Sequence, residues 1–168
     1  MLKIKTTVFL MTTALIAGGC TTYKTTIPAT VNPPILEKDS ALALDFETNV
    51  GNRVFFGFDS SRLSEKTKAQ LKKQIAWLAE HPNIAVNIQG HCDERGSDEY
   101  NLALGYRRAE EIKKFFLNHG IASSRIEVVT YGKDRPAALG HNKKVWKQNR
   151  RGVIFVIVKT GSTDLLYE

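Results

Sequence analysis

Residues 90–112 read "GHCDERGSDEYNLALGYRRAEEI", and their reading decides the fold. The first half packs His91, Asp93, Glu94 and Arg95 between Gly90 and Gly96. The second half settles into a helical pattern from Ser97 or Asp98 to Asn118, with Leu102, Ala109, Ile112 and Phe116 as its inner stripe and Gly120 closing it. An acidic cluster on a loop is thus followed by Arg107 and Arg108 on a helix. Three readings are open: a catalytic site, a plain ion pair, or two halves of a clamp for a ligand that carries both charges.

The flanking segments supply the rest of a core. "RVFFGFD" (53–59) alternates Val54, Phe56 and Phe58 and reads as a strand. Ser64 is the N-cap expected for a helix running to about His81, with Leu71, Ile75 and Leu78 on one face and Pro82 stopping it. "NIAVNIQG" (83–90) puts Ile84, Val86 and Ile88 on one side of a second strand. "SRIEVVTYG" (124–132) and "RGVIFVIV" (151–158) are a third and a fourth, joined by a long connection with a short helix near Lys143–Asn149. The order β-α-β-α-β-(α)-β predicts an α/β sandwich, a mixed sheet covered by helices. About 110 residues are enough for one core.

The chain begins "MLKIKTTVFLMTTALIAGGC". Lys3 and Lys5 precede an uncharged run, Thr6 to Ala17, too short and wrongly flanked to span a membrane as a helix. "LIAGGC" resembles the lipobox of bacterial lipoproteins, in which a diacylglyceryl group is attached to the cysteine thiol. Residues 1–19 are then a signal peptide and Cys20 a lipidated N-terminus; an ordinary cleaved signal is the alternative. Thr21 is not the aspartate that retains such proteins in the inner membrane, which favours the outer one. Residues 20–48, rich in Thr and Pro, read as a flexible tether that could reach roughly 80 Å when fully stretched. The domain follows at 49–162, with a tail at 163–168.

Two cysteines, one of them lipidated, leave Cys92 without an intrachain partner, so no disulfide framework exists. Cys92 reads as a small buried side chain. The net charge is +7, and without residues 1–19, which hold two lysines and no acid, it is 22 − 17 = +5. An exported chain meets little nucleic acid, so anionic lipid or an acidic polymer is the better electrostatic partner.

Four blocks, "FGFDSSRL", "GHCDERGSDEYNLALGYRRAEEI", "VTYGKDRPAALGHN" and "NRRGVIFVI", together resemble the OmpA-like peptidoglycan-binding domain over residues 50–160. The lipobox and tether narrow the resemblance to the lipid-anchored members, the peptidoglycan-associated lipoproteins. That resemblance implies non-covalent binding of the wall's stem peptide through meso-diaminopimelate, with Asp93 and Arg108 as anchors and Asn101, Leu104 and Ala109 in the same frame. It also implies outer-membrane anchoring through Cys20, no cofactor beyond that lipid, and a TolB-like periplasmic partner in a Tol-Pal-like system serving envelope integrity and division. Cys92, where Ala or Thr is expected, and bulky Tyr106 after Gly105 depart from the pattern without removing a charge.

The chemistry of such a clamp stands on its own. The free end of meso-diaminopimelate carries an ammonium and a carboxylate on one carbon. Asp93 can take the first, and the Arg108 guanidinium can hold the second in two parallel hydrogen bonds, which lysine cannot. Alternatively, Asp93 and Arg108 pair only with each other. Phe58 and Asp59 line the same rim, or Phe58 packs in the core. Asn101 binds ligand or ties the loop. Arg95 holds the loop and one of Arg150 and Arg151, with Arg151 preferred, reaches the ligand; solvated or structural roles are the alternative. Catalysis would need more than His91-x-Asp93: no metal-ligand spacing, nucleophile elbow or phosphate loop is present. The remaining alternatives are another OmpA-like lipoprotein that anchors an envelope machine and a wall-modifying enzyme.

Overall fold

Eight regular elements follow one another in the computed structural model, which describes residues 37–158, with side chains from 41 to 157. They are α1 (Glu37–Asp45), β1 (Arg53–Phe55), α2 (Glu65–Glu80), β2 (Ile84–His91), α3 (Asp98–Leu117), β3 (Ile126–Gly132), α4 (Lys143–Asn149) and β4 (Arg151–Val158). The sheet order is β1-β4-β2-β3. β4 runs antiparallel to both β1 and β2, while β2 and β3 are parallel. This is the mixed α/β arrangement expected from the sequence. The signal segment, Cys20, the tether up to residue 36 and the tail lie outside the described residues.

Ser64 caps α2 as expected, its hydroxyl accepting the Thr67 backbone N–H at 3.1 Å. At the other end Arg125 donates to the carbonyls of Leu78, His81 and Ile84, so the last turn before Pro82 is not left unsatisfied. Leu71 and Leu78 of α2 and Ala109, Ile112 and Phe116 of α3 bury against Val86 and Ile88 of β2 and Ile154 of β4. Each large side chain removed from water contributes about 1.5–3 kcal/mol.

α3 lies unusually close to the sheet because two glycines meet. A Cβ placed on Gly90 would stand 1.8 Å from the Gly105 carbonyl oxygen, and one on Gly105 would stand 2.4 Å from Thr130 Oγ1. No other residue fits at either position. Beside this contact the β2–β3 register shifts between Gly90 and His91, which turns the chain out of the sheet and starts the loop carrying Asp93.

Several details differ from the sequence reading. β1 ends at Phe55, and Phe58, three residues beyond, is 63 % exposed. Leu102 is exposed at the edge over Gly132, whereas Ala109, Ile112 and Phe116 are buried as expected, joined by Asn101, Leu104 and Arg108. Residues 37–50, assigned largely to the tether, form α1 and a wide helical turn. The Phe46 ring meets Trp77 edge-on at 4.9 Å, and Trp77 Nε1 donates to Asp45 Oδ2 at 2.6 Å. A buried aromatic with a hydrogen-bonded neighbour outweighs the weak local helix pattern of this stretch.

That anchoring has a measurable consequence. Phe46→Ala should cost about 3–4 kcal/mol in urea unfolding, whereas Leu44→Ala, exposed on the same segment, should cost about 0.5 kcal/mol or less. Equal small losses would place the segment outside the cooperative fold.

Candidate ligand pocket

A pocket of about 160 Å³ opens where the loop after β2 meets the N-terminal half of α3 and the turn after β1. Phe58, Asp59, Cys92, Asp93, Arg95, Asn101, Leu104, Arg108 and Arg150 all face it. Of the eight residues singled out in the sequence as binding ligand, seven are therefore brought together. Arg151 is not one of them.

Arg108 is fully buried and has no carboxylate partner among the described residues. Its Nε donates to Ser60 O at 2.9 Å, Nη1 to His91 O at 2.7 Å and to Cys92 Sγ at 3.3 Å, and Nη2 to Gly57 O at 3.0 Å. A guanidinium has five N–H donors, so one Nη2 hydrogen is left over. The weak contact to Cys92 sulfur is a second that a better acceptor could take. Burial lowers the pKa of Arg108, yet a guanidinium keeps its charge at neutral pH. A positive charge hydrogen-bonded to carbonyls and a sulfur rather than to a carboxylate thus faces the pocket, with Asp93 and Asp59 near enough to act on it through space.

Asp93 is occupied differently. Oδ1 accepts from Arg95 N and Nε at 3.2 and 3.0 Å, and Oδ2 accepts from Arg95 Nη2 at 2.6 Å and Arg150 Nη1 at 3.1 Å. Burial works to raise this carboxyl, but the hydrogen bonds from Arg95 and Arg150 outweigh it and hold it below the usual carboxylate value. Asp93 and Arg108 therefore do not pair with each other. Arg95 is itself clasped between aromatic faces, 4.1 Å from Phe58 and 4.0 Å from Trp146. Trp146 Nε1 and His141 Nδ1 are in turn bonded to the two oxygens of Glu94.

Asp59 carries the acid with spare capacity. It is the one non-glycine residue at positive φ among those described, 48°, a conformation acids tolerate better than most residues. Tyr100 hydroxyl donates to Oδ1, and Oδ2 has no hydrogen-bond partner among the described residues. Asn101 ties the loop, its Nδ2 donating to the carbonyls of Arg95 and Ser97. It does so while also facing the pocket.

Arg151 is a correction. Its Nη2 donates to Arg135 O at 3.0 Å and its Nη1 to Asn149 O at 3.4 Å. Burial, then the charge of Arg53, push it down to about 10. Successive strand residues point to opposite faces; Gly152 meets Ile112 of α3, so Arg151 projects through the other side. Arg150, just before β4, is the one that reaches Asp93. Tyr100 was missed altogether, though Tyr100, Leu104 and Arg108 recur at every fourth position on one helix stripe.

The OmpA family model matches residues 55–150, more than half of the chain. The chain belongs to the OmpA family. The peptidoglycan-associated lipoprotein of Agrobacterium fabrum is 44 % identical over 109 residues, 65 % of this chain and 62 % of that protein. The Mesorhizobium japonicum protein of the same name is 45 % identical over 111 residues, covering 66 % of each chain; both matches span a little under two thirds of the relative. The crystal structure of the peptidoglycan-associated lipoprotein from Burkholderia pseudomallei superposes with a TM-score of 0.64 at 37 % identity, covering 68 % of this chain and 99 % of that one. The periplasmic domain of Helicobacter pylori MotB, at 18 % identity and a TM-score of 0.56, covers 70 % of this chain and 74 % of its own and shares the fold alone.

His91 stands behind this OmpA-family pocket rather than in its lining. It is buried, stacked on Tyr131 at 5.5 Å, with Nδ1 unpartnered among the described residues. Burial, reinforced by Arg151, Arg135 and Arg53, pushes it down from 6.5 to about 3. Between those values the unfolded chain binds a proton that the folded one refuses, so stability falls with pH. About 2 kcal/mol should be lost from pH 6.5 to 5, and His91→Gln should flatten that slope in urea titrations. An unchanged slope in the variant would assign the acid loss elsewhere.

Proposed function

We propose that the pocket binds the meso-diaminopimelate head group of peptidoglycan stem peptides without chemical change. The observation that carries this reading is the buried Arg108 guanidinium, unpaired with any acid and facing a small cavity with two carboxylates on its rim. The head group's carboxylate takes the free Nη2 hydrogen of Arg108 and displaces the contact to Cys92. Its ammonium goes to the acidic side, where Asp59 offers an open oxygen and Asp93 is held in place by Arg95 and Arg150. Leu104 and Phe58 pack against the aliphatic stem of the ligand. A zwitterion of one amino-acid size matches this layout of charges; a lone anion or cation would meet one repulsive half.

Each charge-assisted hydrogen bond contributes about 1.5–3 kcal/mol net, and ordering costs leave only moderate affinity per site. Many tethered copies facing one polymer convert this into firm but reversible attachment. In this reading Cys20 bears the lipid, the outer membrane is the site of anchoring, and the chain links that membrane to the wall. A TolB-like periplasmic protein is the partner that the family resemblance implies, competing for the same surface. The names of the relatives and the membership of the OmpA family support the wall-binding half of this reading.

Arg108 also ties together Gly57, Ser60 and His91, so its substitution mixes stability with binding. Asp59 is exposed and separates them. Asp59→Asn should weaken binding of a meso-diaminopimelate muramyl tripeptide about tenfold or more in calorimetry, with the melting temperature unchanged. Full affinity in that variant would remove Asp59 from the clamp.

A further inference from the structure

A second and larger concavity, of about 660 Å³, runs between β1, the start of α2 and α4. Its lining includes Arg53, Arg62, Lys66, Lys147 and Arg150 and not one Asp or Glu. Arg150 reaches across to Asp93, but Arg53, Arg62, Lys66 and Lys147 form no ion pair among the described residues. Glu65, the nearest acid at the head of α2, is taken by Lys68 at 2.8 Å. Four like charges around one hollow repel each other, and among the described residues only Glu65, already bonded to Lys68, acts on one of them, Arg62.

The groove also runs along a sheet edge. Among the described residues β1 is the terminal strand and pairs only with β4. Phe56 N donates to Arg150 O and Ile154 N to Asn52 O, so the alternation of an antiparallel ladder turns the main-chain groups of Arg53 and Phe55 outward. The Phe55 carbonyl is occupied by Thr67 Oγ1 at 3.0 Å. The N–H and C=O of Arg53 and the N–H of Phe55 remain along the edge, and the Phe55 ring beside them is 45 % exposed. Such a short, charged edge resists random pairing. It is nonetheless complementary to an extended chain of opposite charge.

We propose that this groove docks an extended acidic segment of a partner protein. Main-chain groups of the segment meet Arg53 and Phe55, its carboxylates meet Arg53, Arg62, Lys66 and Lys147, and an apolar side chain covers the Phe55 ring. A bilayer surface is flat and offers no strand to the edge, so a peptide satisfies both the charge and the main-chain donors where lipid satisfies only the charge. The inference stands apart from the head-group pocket and holds whether or not that pocket binds wall peptide.

The test is fluorescence anisotropy of the full-length chain in neutral detergent with a labelled, capped peptide that alternates glutamate and leucine. Binding should weaken with added salt, and Lys66→Glu with Lys147→Glu should weaken it about tenfold. Lys72→Glu with Lys73→Glu, exposed farther along α2, should leave it unchanged. All four lysines are exposed, so each variant should keep the wild-type melting temperature; the milder pair Lys66→Gln and Lys147→Gln, still weaker than wild type, replaces the reversal if that variant does not fold. Equal loss in both pairs, or no peptide binding alongside capture of phosphatidylglycerol vesicles, would overturn the proposal.

Discussion

One contact governs the geometry of this molecule: the Gly90 backbone against the Gly105 carbonyl. Because neither residue has a side chain, α3 comes down on the end of β2 with no intervening layer. Arg108, three residues past Gly105, is thereby driven into the interior next to the chain as it leaves the sheet. It finds carbonyls of the two loops around it rather than a carboxylate. A buried guanidinium that kept a matching acid would be neutral toward solutes. This one is held by dipoles and keeps its field directed at the cavity.

The acidic side is built on the opposite principle. Asp93 is saturated by Arg95 and Arg150, and Arg95 is clasped by Phe58 and Trp146. These bonds fix the loop in place before any ligand arrives, which lowers the ordering cost of binding. They also shift the open acceptor from Asp93 to Asp59, whose left-handed backbone points its carboxyl to the rim. A ligand that needed Asp93 alone would have to displace an arginine.

Much of this was legible in the chain because period and punctuation agree. Ser64 caps a helix, Pro82 ends it, and the alternation of Ile84, Val86 and Ile88 and the apolar run at 151–158 mark strands. The stretch around Gly90 and Arg108 was readable as a site because charges of both signs crowd one loop and one helix face. What escaped depends on tertiary packing. Phe46 is buried by Trp77, which lies far along the chain, so local composition read its segment as tether. The choice between Arg150 and Arg151 turns on where β4 begins, since a one-residue difference sends a side chain to the opposite face. That Asp93 would be claimed by two arginines rather than by Arg108 could not be read from spacing at all.

The most direct measurement is a crystal structure of the domain with a meso-diaminopimelate muramyl tripeptide soaked in. The head group's carboxylate should lie within hydrogen-bond reach of Arg108 Nη2, with its ammonium beside Asp59 and Arg95 still on Asp93. A head group bound elsewhere, or one seated with its ammonium toward Arg108, would contradict the account.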